Sequence, residues 1–318
     1  MELVFFVSSG VFLGWSLGTQ DAANVFGTAV ATRVVKYRTA IILTAIFVVI
    51  GALLNGEAGI ANISDYAYES GVTTGLAAFL VMLSAAIFCT VMTFLKLTVS
   101  TSQCVIGSIL GWGLAFGSAD FSRTTGFLSA WIITPIGALI ICFLLCKLSE
   151  KLLSGRIQEL VAFDNAVKAV YYIAGILSAY SLGANNVANA TGIYAGKLEL
   201  LSPFAAAAVG GVAIAIGVLT YSKRVMHTVG NSITALSPLS GALVVLSCAI
   251  TVFIYALIGI PVSQSQAVVG AIIGAGLVKG VNNVDFKILR KIFIAWFGTP
   301  TLAALFTFLL GLLYKALS

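Results

Sequence analysis

Long apolar runs separated by short polar ones extend from one end of the chain to the other. Residues 39–54, 75–95, 126–146, 204–221, 236–258 and 292–314 have roughly the length of a helix that crosses a bilayer's hydrocarbon core. The period-two alternation of a transmembrane strand is absent, so the pattern predicts helices and not a barrel. With the less uniform segments added, each half has five crossings: 3–32, 39–55, 74–95, 97–117 and 126–146, then 169–196, 204–222, 233–258, 260–278 and 292–314. In 97–117 and 260–278 a polar run precedes a short apolar tail, and these segments are expected to be discontinuous, with half-helices meeting at a hairpin tip.

Composition agrees with this pattern. Of 318 residues 60% are hydrophobic and 9% charged, with a mean hydropathy of +1.08, whereas about a quarter of a soluble domain is charged. The expected fold class is an all-α integral membrane protein. Residues 3–17 lack the basic start and small-residue cleavage site of a signal peptide and read as part of the mature chain. The five cysteines (Cys89, Cys104, Cys142, Cys146 and Cys248) lie in apolar segments without CxxC spacing, and read as small core residues. The one histidine, His227, falls in a predicted charged loop, and the components of hydrolytic or redox catalysis are missing. Neither an enzyme nor an organic cofactor is expected.

Three motifs recur in the same order. Ser16-Leu-Gly-Thr-Gln-Asp-Ala-Ala-Asn-Val-Phe-Gly27 matches Ser181-Leu-Gly-Ala-Asn-Asn-Val-Ala-Asn-Ala-Thr-Gly192 at an offset of 165 residues. Val99-Ser-Thr-Ser-Gln-Cys-Val-Ile-Gly107 matches Val262-Ser-Gln-Ser-Gln-Ala-Val-Val-Gly270, and Ala130-Trp-Ile-Ile-Thr-Pro135 matches Ala295-Trp-Phe-Gly-Thr-Pro300. Such ordered self-similarity marks an internal duplication. Residues 1–146 form the first repeat, 147–168 a charged cytoplasmic linker and 169–318 the second repeat.

Charge placement orients the repeats. With an external N-terminus, the inner loops hold Arg33, Lys36, Arg38, Lys96, Lys223, Arg224 and the basic residues of 147–168 and 279–291; only Arg123, Lys197 and Lys315 fall outside. This satisfies the positive-inside rule and places both termini outside. It also assigns the basic residues to membrane topology, not to nucleic acid. An odd number of crossings per half turns the second repeat upside down, the inverted plan of many secondary transporters.

One charge remains inside the spans, that of Asp21. A carboxylate in a bilayer core costs at least a few kcal/mol, so it is expected to face a cavity, an ion or a substrate. Gln20 and Asn24 flank it, Gly18 and Gly27 are expected to loosen the helix, and Asn185, Asn186 and Asn189 occupy the corresponding positions of the second copy. The plainer alternative is a helix–helix interface of small residues and amide hydrogen bonds. The second pair of motifs, running from Thr98 to Gln103 and from Ser263 to Gln266, sets hydroxyls and amides at the start of an apolar helix. Such a start offers N-caps and free N–H groups, an anion site that needs no lysine or arginine; the alternative is a plain cap. Together the motifs supply oxygen ligands for a small cation and donors for an oxyanion.

At these residues the chain resembles the inorganic phosphate transporter family, whose duplicated hallmark reads approximately GANDVANA. Here it stands as Gly18-Thr-Gln-Asp-Ala-Ala-Asn24 and, more closely, as Gly183-Ala-Asn-Asn-Val-Ala-Asn189. The resemblance implies two inverted-topology repeats with helical hairpins, and an ion-coupled phosphate symporter that forms a homodimer. Carried over by position, it implies phosphate ligands among Asn24, Ser100, Thr101, Ser102, Gln103, Asn189, Ser263, Gln264, Ser265 and Gln266. The implied cation ligands are Asp21, Asn24, Thr98, Ser100, Asn186, Asn189, Ser263 and Gln266. Many relatives carry Asp in both hallmarks; Asn186 departs from this and breaks the symmetry of the cation sites. The long hydrophilic central loop of some members is absent.

The expectation is therefore sodium-coupled phosphate symport by alternating access in the cell (inner or plasma) membrane, with sodium as coupling ion and inorganic phosphate, lipid and a second copy as partners. A proton-coupled phosphate or sulfate permease is the rival within transport, since Asp21 could titrate. A channel or membrane scaffold is the rival from another class, and a channel would show a continuous polar stripe instead of four short motifs.

Overall fold

The apolar runs fold as helices throughout the described residues, which in this computed structural model are 1–94, 99–153, 160–230, 237–278 and 286–317. In chain order they are α1 (Glu2–Ala31), α2 (Tyr37–Asn55), α3 (Glu57–Glu69), α4 (Gly75–Phe94), α5 (Thr101–Phe116), α6 (Phe121–Leu153), α7 (Leu160–Thr191), α8 (Pro203–Gly230), α9 (Pro238–Leu257), α10 (Gln264–Val278) and α11 (Phe286–Leu317). Eight of them have the length and apolar character to cross a membrane, whereas α5 and α10, with 16 and 15 residues, are shorter apolar helices. In hydrocarbon, helices are the way to satisfy every backbone N–H and C=O within one segment.

Side-chain contacts fix the directions. Phe5 stacks on Phe79 at 4.4 Å and Thr90 Oγ1 donates to Ser16 Oγ (3.1 Å), so α1 and α4 run parallel. In the second half Tyr171 lies against Gly241 and Ser181 Oγ donates to Ala249 O (3.1 Å), so α7 and α9 run parallel as well. Between the halves, Gly10 packs on Ala190 while Gly175 packs on Phe26, so α1 and α7 are antiparallel. The repeats are therefore inverted. Gly71, before α4, meets Ser118, after α5; α5 thus returns to the end from which α4 set out and completes a helical hairpin.

The two halves are interlocked. α1 packs on α8 and α7 on α2; α5 packs on α11 and α10 on α6. At the last two crossings the glycines of one repeated motif receive the proline of another: Gly107 and Gly111 lie against Pro300 and Ala304, and Gly270 and Gly274 against Pro135 and Leu139. A Cβ at Gly107 would collide with Pro300 O, and one at Gly270 with Pro135 O. These are small-xxx-small contacts, which suit a bilayer because helices there associate by close packing and not by water exclusion.

Several boundaries differ from those the sequence predicts. Residues 57–69, read as outer loop, form α3; its buried face (Ile60, Ile63, Tyr66, Ala67) recurs at helical spacing over a stretch too short and too acidic to span. α8 continues to Gly230, so the backbone of Lys223, Arg224 and His227 is helical. α7 stops at Thr191 and gives way to 3₁₀ turns at Gly192–Tyr194 and Gly196–Leu198. Gly18 and Gly27 do not loosen α1, which is continuous; Gly18 instead admits the backbone of Ile214 from α8. The five cysteines are all buried and none forms a disulfide.

Gly107→Val should cost about 1–3 kcal/mol through overpacking, read as a lower melting temperature in detergent. Gly126→Ala, where an added Cβ meets nothing within 4 Å, should leave it unchanged.

Candidate functional site

The two short helices begin alike. Ser100 is in an extended conformation and its Oγ accepts from Gln103 N (3.3 Å), capping α5. Ser263 Oγ accepts from Gln266 N (3.3 Å) and caps α10 in the same way. Each cap satisfies one of the four N–H groups that a helix start leaves without an internal acceptor. The N–H groups of Thr101 and Ser102, and of Gln264 and Ser265, belong to these first turns, and the partial positive charge of each helix start adds to them.

These starts are tied to each other. Ser102 Oγ donates to Val262 O (3.0 Å), one residue before the α10 cap, and accepts from Asn189 Nδ2 of α7 (2.9 Å). Asn185, one turn earlier, clamps the chain entering α10: its Nδ2 donates to Ile260 O (3.0 Å) and its Oδ1 accepts from Val262 N (3.0 Å). Trp131 Nε1 also donates to Pro261 O (3.4 Å), so α6 of the first repeat holds the same turn.

The hallmark helices supply matching pairs. Asn24 Nδ2 donates to Asp21 Oδ1 on α1 and Asn189 Nδ2 to Asn186 Oδ1 on α7, each at 2.9 Å. α1 touches α10 as α7 touches α5, and Cys248 Sγ–H on α9 donates to Gln264 O (3.6 Å) at the α10 start. The pairs differ in exposure. Asn185, Asn186, Asn189, Ser100, Thr101 and Ser102 are buried, whereas Asp21, Asn24 and Ser265 are partly exposed.

Several buried polar atoms here have no hydrogen-bond partner: Gln103 Oε1, Gln264 Oε1, Gln266 Oε1, Asn189 Oδ1, Asn186 Nδ2 and Gln20 Nε2. A buried polar atom left unpaired costs about 1–3 kcal/mol, and a ligand that pairs with several of them recovers that cost. The carbonyl oxygens suit a hard cation; the amide N–H groups and helix starts suit an anion.

Not every candidate contributes in the same way. Ser100 and Ser263 cap helices, Ser263 and Ser265 share a hydrogen bond of 2.9 Å, and Gln264 Nε2 donates to Ser178 Oγ on α7 (2.9 Å). Thr98 lies outside the described residues. Asn185 and Trp131 were not among the implied ligands, although the sequence placed Asn185 opposite Gln20 in the repeated hallmark and Trp131 in the third repeated motif.

An inverted-repeat helical bundle with half-helix starts meeting inside it is the architecture of a secondary transporter. The chain belongs to the phosphate transporter family, whose model matches it twice, over residues 17–173 and 158–307. It is a multi-pass membrane protein of phosphate transport and not an enzyme. A protein of Methanocaldococcus jannaschii named provisionally as a phosphate permease is 28% identical over 300 residues, covering 94% of each chain. The chloroplastic inorganic phosphate transporter 2-1 of Arabidopsis thaliana is 26% identical, covering 94% of this chain and 70% of that one. A solved structure described as "The sodium-dependent phosphate transporter" shares the fold at a TM-score of 0.88 with 21% identity, covering all of both chains.

Asn185→Ala would leave Ile260 O and Val262 N unpaired at a buried turn. It should cost about 1–3 kcal/mol and weaken phosphate binding, both readable in a thermal-shift titration with phosphate. A wild-type melting temperature with an unchanged phosphate response would contradict the clamp.

Proposed function

We propose that this chain is a sodium-coupled phosphate symporter that works by alternating access. The observation that carries the reading is the meeting of the α5 and α10 starts at Ser102 and Val262, beside buried amide oxygens without partners. In this reading phosphate accepts hydrogen bonds from the first-turn N–H groups and from the hydroxyls of Thr101 and Ser265, while Ser102, whose proton goes to Val262 O, holds the two helix starts together. Asp21, Asn24, Asn186, Asn189, Gln103 and Gln266 offer oxygen to sodium. A bound cation offsets the anion's charge where little water screens it.

Sodium is favoured over a proton because the oxygen donors facing Asp21's surroundings are mostly neutral and suit a metal cation. The solved neighbour is described as sodium-dependent, a statement about that protein which supports the same choice here. Among the described site residues partial exposure is limited to Asp21, Asn24 and Ser265, and with the Asn186 side closed this fits one face of an alternating-access cycle. The excess of basic residues in one set of loops supports an orientation in the plasma membrane with both termini extracytoplasmic. The homodimer rests on the family resemblance.

Asp21→Asn should reduce sodium-driven phosphate uptake into proteoliposomes about tenfold or more, the equivalent of ~1.4 kcal/mol or more of lost ligation. Unchanged uptake and sodium affinity would refute the cation role of Asp21. Uptake driven equally well by a proton gradient without sodium would move the reading to proton coupling, and strong competition by sulfate would widen the substrate to tetrahedral oxyanions.

A further inference from the structure

A cavity of about 300 Å³ lies where the two interlocked pairs, α5 with α11 and α6 with α10, face each other. Its lining repeats the duplication: Trp131 and Trp296, Pro135 and Pro300, and Gln103 and Gln266 all border it. The wall is almost wholly apolar, and the two glutamines keep their Oε1 atoms buried instead of presenting them to the open space. An apolar cavity of this kind does not hold water, yet an empty one forfeits the dispersion contacts of its lining.

Its position decides what can fill it. Pro135 and Pro300 stand near the middle of the long helices α6 and α11, so the cavity lies at the depth of the hydrocarbon and beyond the reach of headgroups. It opens sideways, because Ile132, Ile136 and Phe297 at its edge are 56%, 50% and 61% exposed while Trp131 and Trp296 behind them are 4% and 8% exposed. What surrounds a mid-depth opening in a bilayer is acyl chain.

From this we infer that an acyl chain of a bilayer lipid enters between α6 and α11 and occupies the cavity as a structural ligand. The chain lies behind the first turns of both half-helices, against Gln103 and Gln266, and spaces the two interlocked pairs. Occupancy does not depend on which ion drives transport.

The tryptophans at the cavity make the test direct. The W15F/W112F variant leaves Trp131 and Trp296 as the only tryptophans. Reconstituted in phosphatidylcholine with bromine atoms at mid-chain, it should lose most of its emission relative to unbrominated lipid, and much less with bromine near the headgroup. Filling the cavity with Leu139→Phe and Ile273→Phe should restore the emission, with retained phosphate uptake showing that the filled protein is folded. The depth comparison needs no cavity substitution and stands if the filled variant does not fold. Emission insensitive to bromine, equal quenching at both depths, or quenching unchanged in the folded filled variant would overturn the inference. So would efficient disulfide cross-linking of two copies through Ile136→Cys, which would put a second chain over the opening.

Discussion

Ser102 Oγ stands between Asn189 Nδ2 and Val262 O, and through it three segments from both repeats meet inside a membrane-spanning bundle. In hydrocarbon no water satisfies the first N–H groups of a helix, so a helix can start at that depth only where protein or ligand supplies acceptors. Two helices start here. Serine caps satisfy part of each, the Ser102 junction holds them together, and the remaining first-turn N–H groups are the donors of the proposed anion site. The interlocking of the halves follows from this need: each short helix is seated by its glycines on the proline-bearing helix of the other repeat, Gly107 on Pro300 and Gly270 on Pro135.

The duplication is symmetric in backbone and unequal in chemistry. Asp21–Asn24 and Asn186–Asn189 make the same contact at the same 2.9 Å, but one pair contains a carboxyl group and is partly exposed, and the other is an amide pair and is buried. Burial of an unpaired charge is costly, whereas a neutral amide pair can be enclosed once its hydrogen bonds are made. The closed side is therefore the side that lacks the carboxylate.

That side is also braced. α3 has no described counterpart in the second repeat, and it supports the turn before α10: Asn62 Nδ2 donates to Gly259 O (3.0 Å), and Gly259, at φ +72°, lies against Ala58. At the other end of α3, Arg123 Nε pairs with Glu69 Oε2 at 2.8 Å, and Tyr66 and Thr124 share a hydrogen bond of 2.9 Å. Burial, only partly offset by that bond, raises the Tyr66 hydroxyl to about 12. Exposed ion pairs contribute little, so the buried Tyr66–Thr124 contact and the apolar face of α3 do most of the bracing.

Eight of the ten crossings, the duplication, the inversion and the acid among the apolar runs were legible in the amino-acid order, because hydrocarbon imposes length and polarity on each segment separately and a repeat preserves spacing. The hallmark and hairpin motifs were legible as well, since polar residues stand out in an apolar run. What no local pattern could give was partnership. That Gly107 meets Pro300, that Asn185 clamps 260–262, that Trp131 reaches Pro261 and that Ser102 rather than Ser100 joins the two tips are consequences of how the repeats interlock. Those contacts join residues far apart along the chain, and only packing in three dimensions brings their donors and acceptors together.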